Sequence, residues 1–302
     1  MHVREVSGVV DVLVAEHGVG VADCGARGKV NPGGARALKF GSLSRIALAI
    51  EHTSGLPSEM KRTSVILPCA GKGTRLGLPY PKEVHRLSQS KSLVDFSLNH
   101  VLACPEIIGR AVTVLAPGKE MVFEYVARQL GDEVEASSAY FNEHYTEWPG
   151  SIRSAEAHFL ERNVALLPDS VLVPVGGARL LAQFDKAFDD GADLVFAYVP
   201  EQDRARLQAL GALRVNGHTV EEFCDKPRLD NPSAFNGFWA SFGFTQNCSV
   251  DVLDFMMASV SRDPVDIAQL GLNVQAFEVK SYVDLGTWPN LSNFLGTKSV
   301  LT

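Results

Sequence analysis

A short apolar run, residues 64–68 (SVILP), leads with no spacer into CAGKGTRLGLPYPKEV. That succession of buried strand, glycine-rich loop and clustered cations limits the fold more than any other stretch of the chain. Gly71, Gly73 and Gly77 allow positive φ and bring backbone N–H groups close to an anion. Arg75 offers a fork of donors to phosphate oxygens, and Lys82 adds a point charge. Such a loop points to an α/β protein with a phosphate guest, most naturally a triphosphate. The spacing is not the GxxxxGK[ST] phosphate loop, and Lys72 and Arg75 break the GxGxxG dinucleotide pattern.

The residues after the loop alternate strand and helix. Apolar spacing predicts a helix over 91–102, a strand over 111–115 and a helix near 120–130. A helix over 151–160, a strand over 164–167, a helix over 180–188 and a strand over 192–199 follow. Such alternation requires crossover connections and a mostly parallel sheet. Beyond residue 200 the texture changes. Asn216-Gly217 lies between two strand-like runs and reads as a hairpin turn. FWASFGF is another strand run, 250–260 reads as a helix and 274–279 as a late strand. A nucleotide-binding half is thus followed by a mixed half.

Residues 1–59 differ from the rest. They are rich in glycine and small residues and hold no sustained period of 3.6 or 2. MKRTSVILPCAG, from Met60, reads as a natural start, so 1–59 are expected to be an extension, disordered or a mis-assigned start. The competing reading is a small segment packed on the domain. The catalytic domain is expected over 60–302.

The chain has 302 residues and a net charge of −7, without the basic excess of a nucleic-acid surface. The cations near residue 75 therefore read as a local pocket for a small anion. No apolar run approaches the roughly 20 residues of a membrane helix, and no secretory signal opens the sequence. Five scattered cysteines without a CxxC pair fit reduced thiols in a cytoplasm and give no structural zinc spacing. The histidines show no metal-ligand spacing. Trp239 and Phe242 read as packing residues, with Trp239 at the edge of a sugar pocket as a second reading.

LPCAGKGTRLGLPYPKEV resembles the opening motif of the nucleotidyltransferases that join a nucleoside triphosphate to a sugar 1-phosphate, such as glucose-1-phosphate thymidylyl-, uridylyl- and cytidylyltransferases. The resemblance spans about residues 62–295. It implies a Rossmann-like three-layer sandwich around a mostly parallel mixed sheet, and a role in nucleotide-sugar biosynthesis. Leu67, Ala70, Gly71, Gly73, Thr74, Arg75 and Lys82 would hold the nucleotide, and Gly150, in EWPGSIRS, would lie against the base. Asp169, just past the strand of VALLPDS, would bind Mg²⁺, although Pro168 stands where the family more often has glycine. Asp284, in SYVDLGT, would be the second Mg²⁺ ligand. Asp225-Lys226-Pro227 is similar to the family's Glu-Lys-Pro, with the acid on a sugar hydroxyl and Lys226 on the sugar phosphate. Asp225 is one methylene shorter than the usual glutamate. Gly211 falls at a sugar-contacting glycine.

By the resemblance, the catalytic set is Arg75, Lys82, Asp169 and Lys226. The partners are an NTP and a small phosphorylated acceptor, with neither nucleic acid nor membrane, and self-association into a homo-oligomer is left open. The chain stops soon after Asp284, so no C-terminal β-helix domain is expected. The stretch from Arg75 to Lys82 is short, which also resembles cytidylyltransferases acting on polyol phosphates, choline phosphate or phosphonates. A nucleotide-sensing protein that kept the fold and lost the chemistry is the remaining alternative.

Overall fold

A computed structural model describes residues 61–145, 147–228, 234–259 and 264–297. The expected extension, 1–59, lies outside the described residues. The strands are β1 (Thr63–Pro68), β2 (Ile108–Leu115), β3 (Glu135–Tyr140), β4 (Arg162–Ala165), β5 (Ser170–Pro174), β6 (Leu194–Pro200), β7 (Gly211–Asn216), β8 (Thr219–Asp225), β9 (Gly237–Thr245), β10 (Val265–Asp266) and β11 (Val274–Asp284). Between and after them run helices α1 (Asp95–Leu102), α2 (Glu120–Leu130), α3 (Glu147–Arg153), α4 (Leu180–Asp189), α5 (Arg204–Leu207), α6 (Ser249–Ser259) and α7 (Trp288–Thr297).

Among the described residues these strands form one sheet. β1 pairs in parallel with β2 on one side and β4 on the other, and β3 extends the parallel set beyond β2. β9 runs antiparallel between β4 and β6, and β6 pairs in parallel with β11. Six strands of this central path therefore run one way and β9 runs the other, the mostly parallel mixed sheet expected.

Strand alternation assigns residues to the two faces. Val65, Leu67, Val195 and Ala197 pack with α1, α2 and α4. Ile66, Leu194 and Phe196 pack on the opposite face, with α3 and α6. Each fully buried aliphatic or aromatic side chain of this kind contributes roughly 1.5–3 kcal/mol. Two helical layers enclosing a sheet make a three-layer sandwich.

Several boundaries differ from the sequence reading, each for a physical reason. The first helix begins at Asp95 rather than 91, because the Asp95 carboxylate accepts from Ser92 N–H at 2.6 Å and turns the preceding chain. The helix expected over 151–160 is α3, ending at Arg153. Ser154 N–H still bonds the Gly150 carbonyl, but Ala155, His158 and Phe159 then bond three residues back, so the chain tightens into a 3-10 turn over Glu156–His158. The hairpin turn is Gly217-His218, with Asn216 the last residue of β7. The late strand runs five residues past 279, through Asp284.

That extension positions the site. The first part of β11, Val274–Glu278, pairs in parallel with β6. From Val279 on, the second part pairs antiparallel with β5, with a register shift between Val279 and Ser281 that sets Asp284 opposite Ser170.

Candidate active site

At the carboxyl ends of β1 and β4, where open α/β sheets bind ligands, lies a cavity of about 530 Å³. Arg75, Lys82, Asp169, Asp225, Lys226 and Asp284 all line it, as do Ala70, Gly71 and Gly211. These residues come from segments more than 200 positions apart in the chain.

One wall is local. β1 ends at Pro68 because its chain turns into the glycine-rich loop. Gly73 and Gly77 take φ of +65° and +60°, the left-handed region that other residues avoid. Gly73 backs onto the stem of Lys82, whose carbons lie 3.7–3.8 Å from where a Cβ would sit. The loop also leans on the chain's end. Trp288 donates its indole N–H to the Leu76 carbonyl at 2.8 Å, and Leu76 packs with Leu285 and Leu291.

The facing wall is assembled by strand pairing. Asp169 occupies the turn into β5, and its carbonyl accepts from Leu285 N–H at 2.8 Å. Gly286 lies where the two acids meet. A Cβ there would stand 2.7 Å from Asp169 Oδ2, 2.8 Å from Asp284 Oδ1 and 2.9 Å from Arg75 Nη2. The glycine is what allows two carboxylates and a guanidinium to converge on one point. Each carboxylate has its own cation. Lys82 Nζ donates to Asp169 Oδ2, with both side chains nearly buried (13% and 11% exposed). Arg75 Nη1 donates to Asp284 Oδ2 at 3.3 Å in a more open setting (58% and 29% exposed).

Among the described residues no group of three His, Cys, Asp or Glu gathers as a metal cage. Two converging carboxylates supply hard oxygen donors. They suit a cation that completes its shell with water and phosphate oxygens, the usual manner of magnesium.

The third side is the β7–β8 hairpin. Its register sets Gly211 opposite Asp225. Gly211 abuts the indole of Trp239, and any Cβ there would strike Nε1. Lys226 holds φ of +53°, the one left-handed non-glycine among the described residues. That conformation costs roughly 1–3 kcal/mol and is typical of residues held for function. Its N–H donates to the Leu210 carbonyl at 2.9 Å, while its ammonium projects, half-exposed, 3.9 Å from Asp225.

Some expected residues stand apart from the lining. Leu67 is in the core, Thr74 is exposed and outside the lining, and Gly150 packs against Tyr145 while its neighbour Ser151 lines the cavity. Phe242 is buried in the core as packing, whereas Trp239 lines the cavity beside Trp148, ring centroids 5.0 Å apart. Tyr282 also lines it, its hydroxyl acidity suppressed by burial and by the Asp284 and Asp169 carboxylates. The sequence reading missed Gly286, Ser151, Trp148 and Tyr282 as site residues. The glycine stood within the DLGT motif already quoted, whereas the other three carry no signal beyond their type.

It also missed Lys119, which lies behind the loop. Its ammonium donates to the carbonyls of Cys69 and Gly71, each at 2.6 Å, and to both carboxylate oxygens of Glu83 at 3.2 Å. Glu83 is 0% exposed, and burial raises its pKa against the pull of Lys119. The signal was available. Lys119 directly precedes α2, where helices favour Ser, Thr, Asp or Asn, and its charge opposes the helix dipole.

No protein-family model matches the sequence, and no curated protein does. Solved structures, in contrast, share its architecture. A UDP-glucose pyrophosphorylase from Acinetobacter baumanii aligns with a TM-score of 0.63 at 14% identity, over 78% of this chain and 92% of its own. A putative glucose-1-phosphate thymidylyltransferase from Bacillus anthracis aligns at 0.60 and 12% identity, over 80% and 96%. An inositol-1-phosphate CTP transferase from T. maritima aligns at 0.57 and 18% identity, over 78% and 94%. The chain has the fold of these nucleotidyltransferases.

Proposed function

We propose that the chain is a nucleotidyltransferase that joins an NTP to a sugar 1-phosphate and releases pyrophosphate. The observation that carries this reading is the convergence of Arg75, Lys82, Asp169 and Asp284 on one cavity at the carboxyl ends of the sheet strands.

The reaction is a direct displacement. A phosphate oxygen of the acceptor forms a bond to the NTP α-phosphorus as the bond to the pyrophosphate oxygen breaks. A phosphate monoester is already a competent nucleophile, so no covalent enzyme intermediate is required. Two anions must be brought together, and the protein's task is alignment and charge neutralisation. Arg75 holds the β- and γ-phosphates and stabilises the leaving pyrophosphate. Lys82 serves the α-phosphate, where charge grows in the transition state. Lys226 steers the acceptor phosphate, and Asp225 accepts from an acceptor hydroxyl. Magnesium, held by Asp169 and Asp284, supplies further charge neutralisation when bound. Lys82 pairs with Asp169 and Arg75 with Asp284, so the cations that meet the phosphates are held beside the acidic wall.

A second reading, a CTP-dependent enzyme with a non-sugar phosphate acceptor, is favoured by the short span from Arg75 to Lys82. The similar inositol-1-phosphate CTP transferase supports it too. Pyrophosphate release from each of the four NTPs, with Mg²⁺ and each of glucose 1-phosphate, inositol 1-phosphate, choline phosphate and a phosphonate, separates the two. Release that requires a sugar 1-phosphate supports the first reading, and release from CTP with another acceptor supports the second. NTP binding with no release under any pairing would reduce the protein to a nucleotide sensor.

A further inference from the structure

The glycine-rich loop has two sides with different hydrogen-bond states. Among the described residues, no backbone N–H from 70 to 75 finds an acceptor within the protein. The carbonyls of Cys69 and Gly71, by contrast, are both taken by Lys119. Each of those carbonyls shares a planar trans peptide with the next residue's N–H, and the two groups point in opposite directions. With Cys69 O and Gly71 O turned to the ammonium, the N–H groups of Ala70 and Lys72 face away from Lys119. Ala70 and Lys72 both line the cavity.

An ammonium has three donors. Here two go to loop carbonyls and the third to Glu83, whose buried carboxylate is the counter-charge that lets a lysine lie only 12% exposed behind a loop. Glu83 directly follows Lys82 in the turn Lys82–Val84, so the same short segment presents one charge to the cavity and another to its support.

We propose that Lys119 is a positioning residue for the triphosphate: by clasping the carbonyls of Cys69 and Gly71, with Glu83 as its anchor, it aims the loop's N–H groups at the phosphates. This rests on the nucleotide reading given above. Lys119 touches no substrate; it sets the peptide planes that do.

The test uses binding rather than turnover and a probe without a base. Isothermal titration measures Mg²⁺-tripolyphosphate, the four NTPs and glucose 1-phosphate on the full chain, as wild type, Lys119→Met and Glu83→Gln. Lys119→Met keeps the stem and removes the donors. It is expected to weaken tripolyphosphate about tenfold or more, the loss of one or two hydrogen bonds to a charged partner, while glucose 1-phosphate changes less than about twofold. A general structural defect would weaken both alike. Glu83→Gln removes the counter-charge but keeps an acceptor for Lys119, and should weaken tripolyphosphate in the same direction but less than Lys119→Met, with glucose 1-phosphate again changed less than about twofold. A folded Lys119→Met that binds tripolyphosphate as wild type does overturns the inference. Should Lys119→Met fail to fold, a well-folded Glu83→Gln that binds tripolyphosphate as wild type does, or that weakens tripolyphosphate and glucose 1-phosphate equally, overturns it instead. Wild type that binds neither tripolyphosphate nor any NTP defeats the nucleotide reading itself, a result distinct from both.

Discussion

The two walls of the cavity are built in different ways. The loop wall is continuous sequence, residues 68–82, and its geometry is set by glycines and by contacts within or just behind the loop. The acidic wall has no sequence continuity. Asp169 and Asp284 meet only because β5 pairs with the far end of β11, and Asp225 arrives from the hairpin of the mixed half. Their ion pairs differ in the same sense. Lys82–Asp169 is nearly buried, where removing one partner leaves an expensive charge, whereas Arg75–Asp284 is open to solvent and contributes little to stability. The contrast teaches that a site can be half motif and half topology, and that the buried pair at the seam couples the halves.

The largest expected effect is at that seam. Lys82→Ala should cost on the order of 3 kcal/mol in transition-state stabilisation, at least about a hundredfold in turnover, with the native circular dichroism spectrum retained and a lowered melting temperature from the unpaired Asp169. A purified variant with near wild-type pyrophosphate release removes Lys82 from the chemistry. Asp169→Asn comes next. It should lose most of the Mg²⁺-dependent turnover, read as a rate that no longer responds to Mg²⁺ titration, and undiminished response excludes Asp169 from the site.

Gly286→Ala probes whether the acidic wall really closes on one point. The added methyl meets Asp169, Asp284 and Arg75 at 2.7–2.9 Å and must push them apart. About a tenfold loss of turnover is expected with little change in melting temperature. Arg75→Ala should separate function from stability. Its exposed pair is worth less than about 1 kcal/mol to the fold, so denaturant unfolding should barely move while the apparent affinity for NTP falls about tenfold. A large loss of stability would contradict the contrast between the two pairs. The smallest effect is a control on the core. Cys69, Cys104, Cys224 and Cys248 are buried, and burial raises the thiol pKa of Cys69, Cys104 and Cys248. Peptide mapping after native iodoacetamide treatment should find these four unlabelled.

What the sequence made legible follows the same division. β1 and β6 are continuous apolar runs, and the loop carries its glycines and cations in plain order. β3 (EASSAY) was missed because an edge strand of small polar residues has no hydrophobic period to detect. β5 and the second half of β11 were missed because only their mutual pairing makes them strands, and that pairing is what brings Asp169 to Asp284. The individual carboxylates could be named from their motifs, but their convergence on Gly286 belongs to tertiary structure. Lys119 was visible as an ill-suited residue at a helix start, a local violation of the kind that marks functional positions.

The central claim is that both walls act on one phosphorus atom. Following the label of an α-³²P NTP tests it most directly, with wild type, Mg²⁺ and the phosphorylated acceptor identified by the pyrophosphate screen. The account expects label to pass into a product that also contains the acceptor, only when Mg²⁺ and acceptor are both present, with none retained on the protein. Label that leaves as the free monophosphate without acceptor, or that stays on the protein, contradicts it.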